Sequence, residues 1–263
     1  MKRVLDRCLN RPFRTWLAIA LTVGLISGGF PIAALAQGFI PPNRGLPGRR
    51  EGGGTRGDCQ VREALVSLTP EFESDRPGQK INYSVTLSER PTLYWYLPAH
   101  QAQEVEFLLL DDSGNEVYRH TTPLIQAGTT VPQAGIISVT LPATVAPLAL
   151  NRNYQWFLSL VCDPQDRAAD ITSEGWITRM APEPALAQRL QAATASDRPQ
   201  LYRDAGIWQD ALMALAVLHR DQPSNAQIAA EWTSLLRSVG LERLATRHLI
   251  NCCESESSTS QRP

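Results

Sequence analysis

Apolar residues recur at every second position from Ala64 to Met180, and at every third or fourth beyond Pro182 and Pro184. A period of two belongs to a half-buried strand and a period of 3.6 to an amphipathic helix, so the chain must hold a β-layer first and a helical layer after it. Ala64, Val66 and Leu68 share one parity, as do Ile81, Tyr83, Val85 and Leu87, then Leu93, Trp95 and Leu97, then Val105, Phe107 and Leu109. Asp111–Asn115 reads as a hairpin, because Gly114 and Asn115 tolerate the positive φ that a tight turn requires. A return strand over 116–122, one through Ile137, Val139 and Leu141, a long one from Tyr154 to Cys162 and a last one from Ile171 to Met180 complete seven or eight strands. With no helical stretch between them, they predict an antiparallel immunoglobulin-like β-sandwich.

The helical part carries Pro199, Gly206, Pro223 and Gly240 as punctuation, with Asp197 and Ser224 as candidate caps. Tyr202, Ala205, Gly206, Trp208, Ala211, Leu215, Leu218 and Pro223 fall at the offsets of one tetratricopeptide-like helix pair. The fold class read from the chain is therefore α+β, a sandwich followed by a C-terminal tetratricopeptide-like helical hairpin region.

Both ends are different in character. Lys2, Arg3, Arg7, Arg11 and Arg14 precede the apolar stretch LAIALTVGLIS, which leads to Ala34-Leu35-Ala36. That order of basic, apolar and small residues predicts a signal peptide over 1–36. Its apolar core is too short for the ~20 residues that a membrane-spanning helix needs, so no stable span is expected after cleavage. Residues 37–58 are rich in Gly, Pro and Arg and read as a flexible leader. The sandwich is then placed at 59–182, the helices at 183–250, and a Cys-Cys and disordered polar tail at 251–263.

Cleavage would remove five basic residues and Asp6 from totals of 25 and 26, leaving 20 Lys or Arg against 25 Asp or Glu, a formal charge of −5. A mildly acidic chain with no concentrated basic face excludes nucleic-acid binding as the expected role. Lys80 would be the one lysine left, which leaves little room for Schiff-base or phosphate-loop chemistry.

Four cysteines follow the signal segment: Cys59, Cys162, Cys252 and Cys253. In an exported chain that even number predicts two disulfides. A bridge between the neighbours Cys252 and Cys253 is strained, so a link from each to Cys59 and Cys162 is favoured. Their spacing matches no zinc site, and neither a metal nor another cofactor is expected.

The stretch CDPQDRAADITSEGW gathers Asp163, Asp166, Asp170 and Glu174 beside Arg167. Three roles are open to it. A calcium loop needs oxygen ligands at alternate positions and a central glycine, whereas these acids are spaced by three, four and four. A hydrolase of envelope polymers needs two carboxylates at fixed separation. The favoured role is structural, with Asp163 and Asp166 accepting hydrogen bonds from loop amides, Arg167 paired to one of them, and Cys162 oriented for its bridge. His100, His120, His219 and His248 are scattered, and no nucleophile motif accompanies them. Tyr94 and Tyr96 flank Trp95 on the opposite strand face, where they would stack on a ligand or lie beneath the helices.

The motifs GRREGGGTRGDC, TLYWYLP, and LVCDPQDRAAD with EGW, followed by a helical end closing in CC, resemble the mostly cyanobacterial domain-of-unknown-function family 928. The resemblance covers roughly Arg49 to Cys253. It implies an exported protein of a Gram-negative photosynthetic bacterium, periplasmic or at the cell surface, and it carries over no catalytic residue. The expected function is a non-enzymatic binding or scaffold module for an envelope protein or glycan.

Overall fold

The computed structural model describes residues 48–53, 61–74, 76–124 and 134–250, all within one compact unit spanning 35–263. Residues 1–36, expected to be a signal peptide, most of the expected leader, Cys59, Cys252, Cys253 and the tail lie outside the described residues. Ten strands run in the order β1 (Arg49–Gly53), β2 (Val66–Ser67), β3 (Glu71–Glu73), β4 (Lys80–Thr86), β5 (Thr92–Leu97), β6 (Glu104–Leu110), β7 (Glu116–Pro123), β8 (Gly135–Thr140), β9 (Asn153–Val161) and β10 (Ile171–Arg179). Four helices follow: α1 (Pro184–Ala192), α2 (Arg198–Asp204), α3 (Trp208–Asp221) and α4 (Ala226–Arg237).

One antiparallel path joins β7-β6-β9-β10-β1-β2-β5-β8. It curls until its two halves face each other across one core. Trp95 of β5 meets Trp156 of β9 at 5.4 Å and Phe107 of β6 at 5.7 Å, both edge to face. Around them lie Leu93, Leu97, Val105, Leu109, Ile137 and Leu158, the residues of one parity. Burying each such side chain contributes about 1.5–3 kcal/mol against leaving it exposed. The hairpin closes as its residues dictate, with Gly114 at φ 82° and the Asp111 carboxylate accepting from the Ser113 and Asn115 amides at 2.8 and 2.9 Å.

Two pairings depart from that pattern. β4 lies parallel to β10, with Trp176 opposite Tyr83 and Arg179 opposite Thr86, and β3 forms a hairpin with β4. The larger departure is β1, since residues 49–53 fall in the segment expected to be a flexible leader yet join β10 to β2. Its glycines serve close approach. A Cβ on Gly52 would stand 2.9 Å from the Ile171 side chain and 3.1 Å from Leu65 Cβ. The Ser173 hydroxyl lies 3.1 and 3.0 Å from the Arg49 and Arg50 carbonyls, and Arg50 donates to the Val239 carbonyl at 2.8 Å.

The outer face of β2, β5 and β8 carries the helices. Val66, Leu68, Tyr94, Tyr96 and Ile136 pack against Trp208, Leu212, Leu215, Trp232, Leu236 and Leu244 in a second core. A third, smaller cluster sets Ile81, Tyr83 and Val85 of β4 against Leu186 and Ile207. Gly206, at φ 72°, turns α2 into α3, and Gly240, at φ 74°, follows α4. The cap of α4 is Asn225, not Ser224, its side chain accepting from the amides of Gln227 and Ile228. Asp197 precedes α2 but accepts from Thr194 instead of capping the helix.

Candidate functional site

The acidic stretch leaves β9 at Cys162 and enters β10 at Ile171, and Pro164 stops the strand from continuing. Asp163 accepts from the Gln165 amide at 2.8 Å. Asp166 accepts from Ala168 N at 3.1 Å and so starts a 3-10 turn over Arg167–Ala169. Arg167 pairs with neither of these acids: its Nε donates to Asp170 at 2.6 Å and its Nη2 to Glu106 on β6 at 2.9 Å. The two aspartates are already engaged by amides, and the turn brings Asp170, three residues on, beside Arg167. Glu106 also receives Arg119 at 2.9 Å. Burial opposes ionisation of Glu106, but the hydrogen bonds from Arg167 and Arg119 outweigh it and hold its carboxyl below the usual range.

Glu174 stands apart on β10, its carboxylate 3.8 Å from Arg49 on β1. It lines a polar cleft of about 510 Å³ in which Lys80 bonds Glu71 at 2.7 Å and Arg50 lies 3.9 Å from Glu71. The cleft is thus neutralised by its own walls. Among the described residues, no group of three or more His, Cys, Asp or Glu side chains is placed to hold a metal ion. The Cys162 Sγ lies 3.2 Å from the Ala169 carbonyl oxygen.

Tyr94 and Tyr96 lie between sheet and helices, 8% and 0% exposed. The Tyr96 hydroxyl donates to Glu63, whose carboxylate also receives Arg247 at 2.9 Å, and the Arg247 guanidinium sits 5.0 Å over the Tyr96 ring. Burial first, and then the Glu63 hydrogen bond, push the Tyr96 phenol up to about 12. Arg243 bonds Glu51 of β1 at 2.7 Å, so the segment after α4 is tied to both β1 and β5. Sequence reasoning missed this network because its members are separated by up to 192 positions.

Beneath α1 lies a second cleft, of about 800 Å³, that the sequence reading did not anticipate. Val85 and Leu87 form its sheet wall, Met180 and Leu186 its near edge, and Leu201 and Ile207 its far wall. Glu183, Arg189 and Asp204 mark the rim. Met180 is 40% exposed, one of three large apolar side chains so open among the described residues.

Behind these walls sits Asp210, in the first turn of α3 and 5% exposed. Its Oδ2 accepts from the Thr86 hydroxyl at 2.7 Å and from the Leu87 amide at 3.0 Å. Burial pushes its carboxyl up to about 6, against the opposing pull of those two hydrogen bonds. Neighbouring Gln209 donates to the Thr92 carbonyl while its Oε1 finds no partner, and the Ser84 hydroxyl is likewise buried and unpaired. The apolar sheet–helix junction therefore encloses a small buried polar patch.

Among the described residues, no helix is long and apolar enough to cross a membrane. No curated protein matches the chain. Among solved structures, the fn3 domain of the human collagen alpha-1(XX) chain is similar at 17% identity, covering 50% of this chain and 92% of its own, with a TM-score of 0.26. The profile of the Domain of Unknown Function DUF928 matches residues 51–249, the span that holds β2–β10, the acidic loop and all four helices, and the chain belongs to that family.

Proposed function

We propose that this chain is an exported, non-enzymatic binding module of the cell envelope, and that its cleft beneath α1 takes an extended apolar segment of another envelope protein. The open apolar cleft carries this reading. The loop acids are tied to amides and arginines, whereas Val85, Leu87, Leu186, Leu201 and Ile207, the cleft side of the third cluster, and the 40% exposed Met180 line a space that the described residues leave open. The rim favours a protein segment over a glycan. Glu183 and Asp204 outnumber Arg189, so an apolar stretch flanked by a basic residue meets complementary charge, and among the described residues no aromatic ring lines the cleft for a sugar to stack on.

The exported location rests on the basic-apolar-small order of residues 1–36 and on the even number of cysteines that follow them. A periplasmic or surface location in a cyanobacterium is what the family resemblance adds. Bridges from Cys59 and Cys162 to Cys252 and Cys253 are part of the same reading, supported by Val61, Cys162 and Ile250 packing on one core. The immunoglobulin-like strand plan and the tetratricopeptide-like character of the Tyr202–Pro223 segment belong to it too.

A photo-crosslinking amino acid at Met180, compared with one at Val217 on α3, tests the reading in the native envelope. Val217 is 38% exposed but away from the cleft. A single adduct at position 180, absent at 217 and lost with Leu201→Asp, is the expected result; identical adducts at both positions would remove the cleft from consideration.

A further inference from the structure

Asp210 holds together two walls of one cleft. Leu87, whose amide it binds, belongs to the sheet wall, while Gly206 and Ile207 of the far wall lead directly into the helical turn that carries Asp210. The carboxyl is also the one buried acid of the sheet–helix layer among the described residues, and no ion pair reaches it.

We infer that Asp210 is a proton-operated latch across the inner wall of the cleft, and that the cleft holds an apolar segment more tightly when this carboxyl is protonated. The inference rests on the cleft being the binding surface. Charge on a buried carboxylate with no ion pair among the described residues is relieved by admitting water, and parting Leu87 from the turn at Gly206 would admit it from the cleft. A ligand covering Leu87 and Ile207 strips away what water remains, so it prefers the neutral acid and takes up a proton on binding.

The groups that face Asp210 are few. From β4 come the Thr86 hydroxyl and Leu87 amide. From α2 comes the Tyr202 phenol, raised by burial and then by the charge of Asp210, with Arg198 acting in the opposite sense. From α3 itself comes neighbouring Gln209, whose Oε1 has no partner among the described residues. Since burial raises the folded carboxyl to about 6 from its ordinary 3.8, the stability it contributes is complete below about 3.8 and is lost as pH rises through about 6. His100 and His219, both lowered by burial, act in the reverse direction in the same window. The comparison that isolates Asp210 is therefore wild type against Asp210→Asn.

Three measurements on the full chain test it. Carbon-13 titration of the Asp210 carboxyl should give a midpoint near 6, and Thr86→Val, which removes a donor to the charged form, should move it higher. The melting temperature of wild type minus that of Asp210→Asn should rise by about 3–6 °C from pH 7.5 to pH 5. N-phenyl-1-naphthylamine, a neutral apolar fluorophore, should bind wild type about threefold or more tighter at pH 5 than at pH 7.5, bind Asp210→Asn equally at both, and be weakened at both by Met180→Glu. A carboxyl midpoint near 4, or a melting difference that does not move with pH, overturns the latch. Dye binding indifferent to Met180→Glu overturns the cleft as the binding surface and leaves the first two measurements to decide the latch.

Discussion

The two faces of β5 are buried to the same depth by different chemistry. Trp95, 0% exposed, looks inward to Trp156 and Phe107, and the indole N–H groups of both tryptophans have no acceptor among the described residues. Tyr96, also 0% exposed, looks outward to the helices, and its hydroxyl, its ring and the strand beside it are engaged by Glu63, Arg247 and Trp208. The inner face is held by shape and dispersion, which do not respond to pH or to a single hydrogen bond. The outer face adds directed contacts to its apolar packing, among them Trp208 donating to the Leu68 carbonyl at 2.8 Å and, on neighbouring β4, the Thr86 hydroxyl donating to Asp210. A chain that must keep one framework while adjusting one surface places its polar groups on the outer of these two faces.

The sharpest way to break that contrast is to hollow out the inner face. Trp156→Ala removes a fully buried side chain whose ring also fills the space over Gly175, where an added Cβ would lie 2.4 Å from the indole. The expected loss is about 3–5 kcal/mol, read from urea unfolding, with the sandwich and helical signals falling together. If the helical signal survived at its usual midpoint, the two faces would not share one cooperative unit. The outer face should yield less: Tyr96→Phe deletes only the hydroxyl donated to Glu63 and should cost about 1 kcal/mol, with Arg247 still stacked on the ring. A loss as large as that of Trp156→Ala would mean that the Glu63–Arg247 network, not packing, holds the helices on.

The same contrast explains how far the sequence could be read. Inner-face residues advertise themselves, since Leu93, Trp95 and Leu97 alternate within one short run and need no partner to be recognised. The helices were legible for the same reason, and Gly206 marked their turn. β1 was not, because Arg-Arg-Glu-Gly-Gly has no apolar alternation and Gly52, which permits contact with Leu65 and Ile171, looks like a linker glycine. Asp210 was hidden as well: two residues after Trp208 in an amphipathic helix, it reads as a solvent-facing acid until Thr86 and Leu87, more than 120 positions earlier, are brought over it. The cleft draws on three separate stretches, 85–87, 180–189 and 201–207, and no local pattern announces it.

The smallest effects belong to the acidic loop, which touches neither face of β5. Its acids are engaged close at hand, since Asp163 and Asp166 hold amides of their own turn, Asp170 holds Arg167, and Glu174 faces β1. Asp166→Ala should therefore cost about 0.5 kcal/mol or less, the value of a weak cap on a short turn. Replacing all four acids by Asn or Gln should leave the inner core intact, and added calcium should not move the melting temperature of either form. A calcium-dependent rise in the wild type alone would show that the four carboxylates can be drawn together on an ion, a rearrangement that would first have to break the 2.6 Å Arg167–Asp170 contact and pull Glu174 away from Arg49. Because Arg167 also anchors the loop to Glu106 on β6, losing that contact would offset part of the binding free energy, so any calcium-dependent rise in the melting temperature would be small.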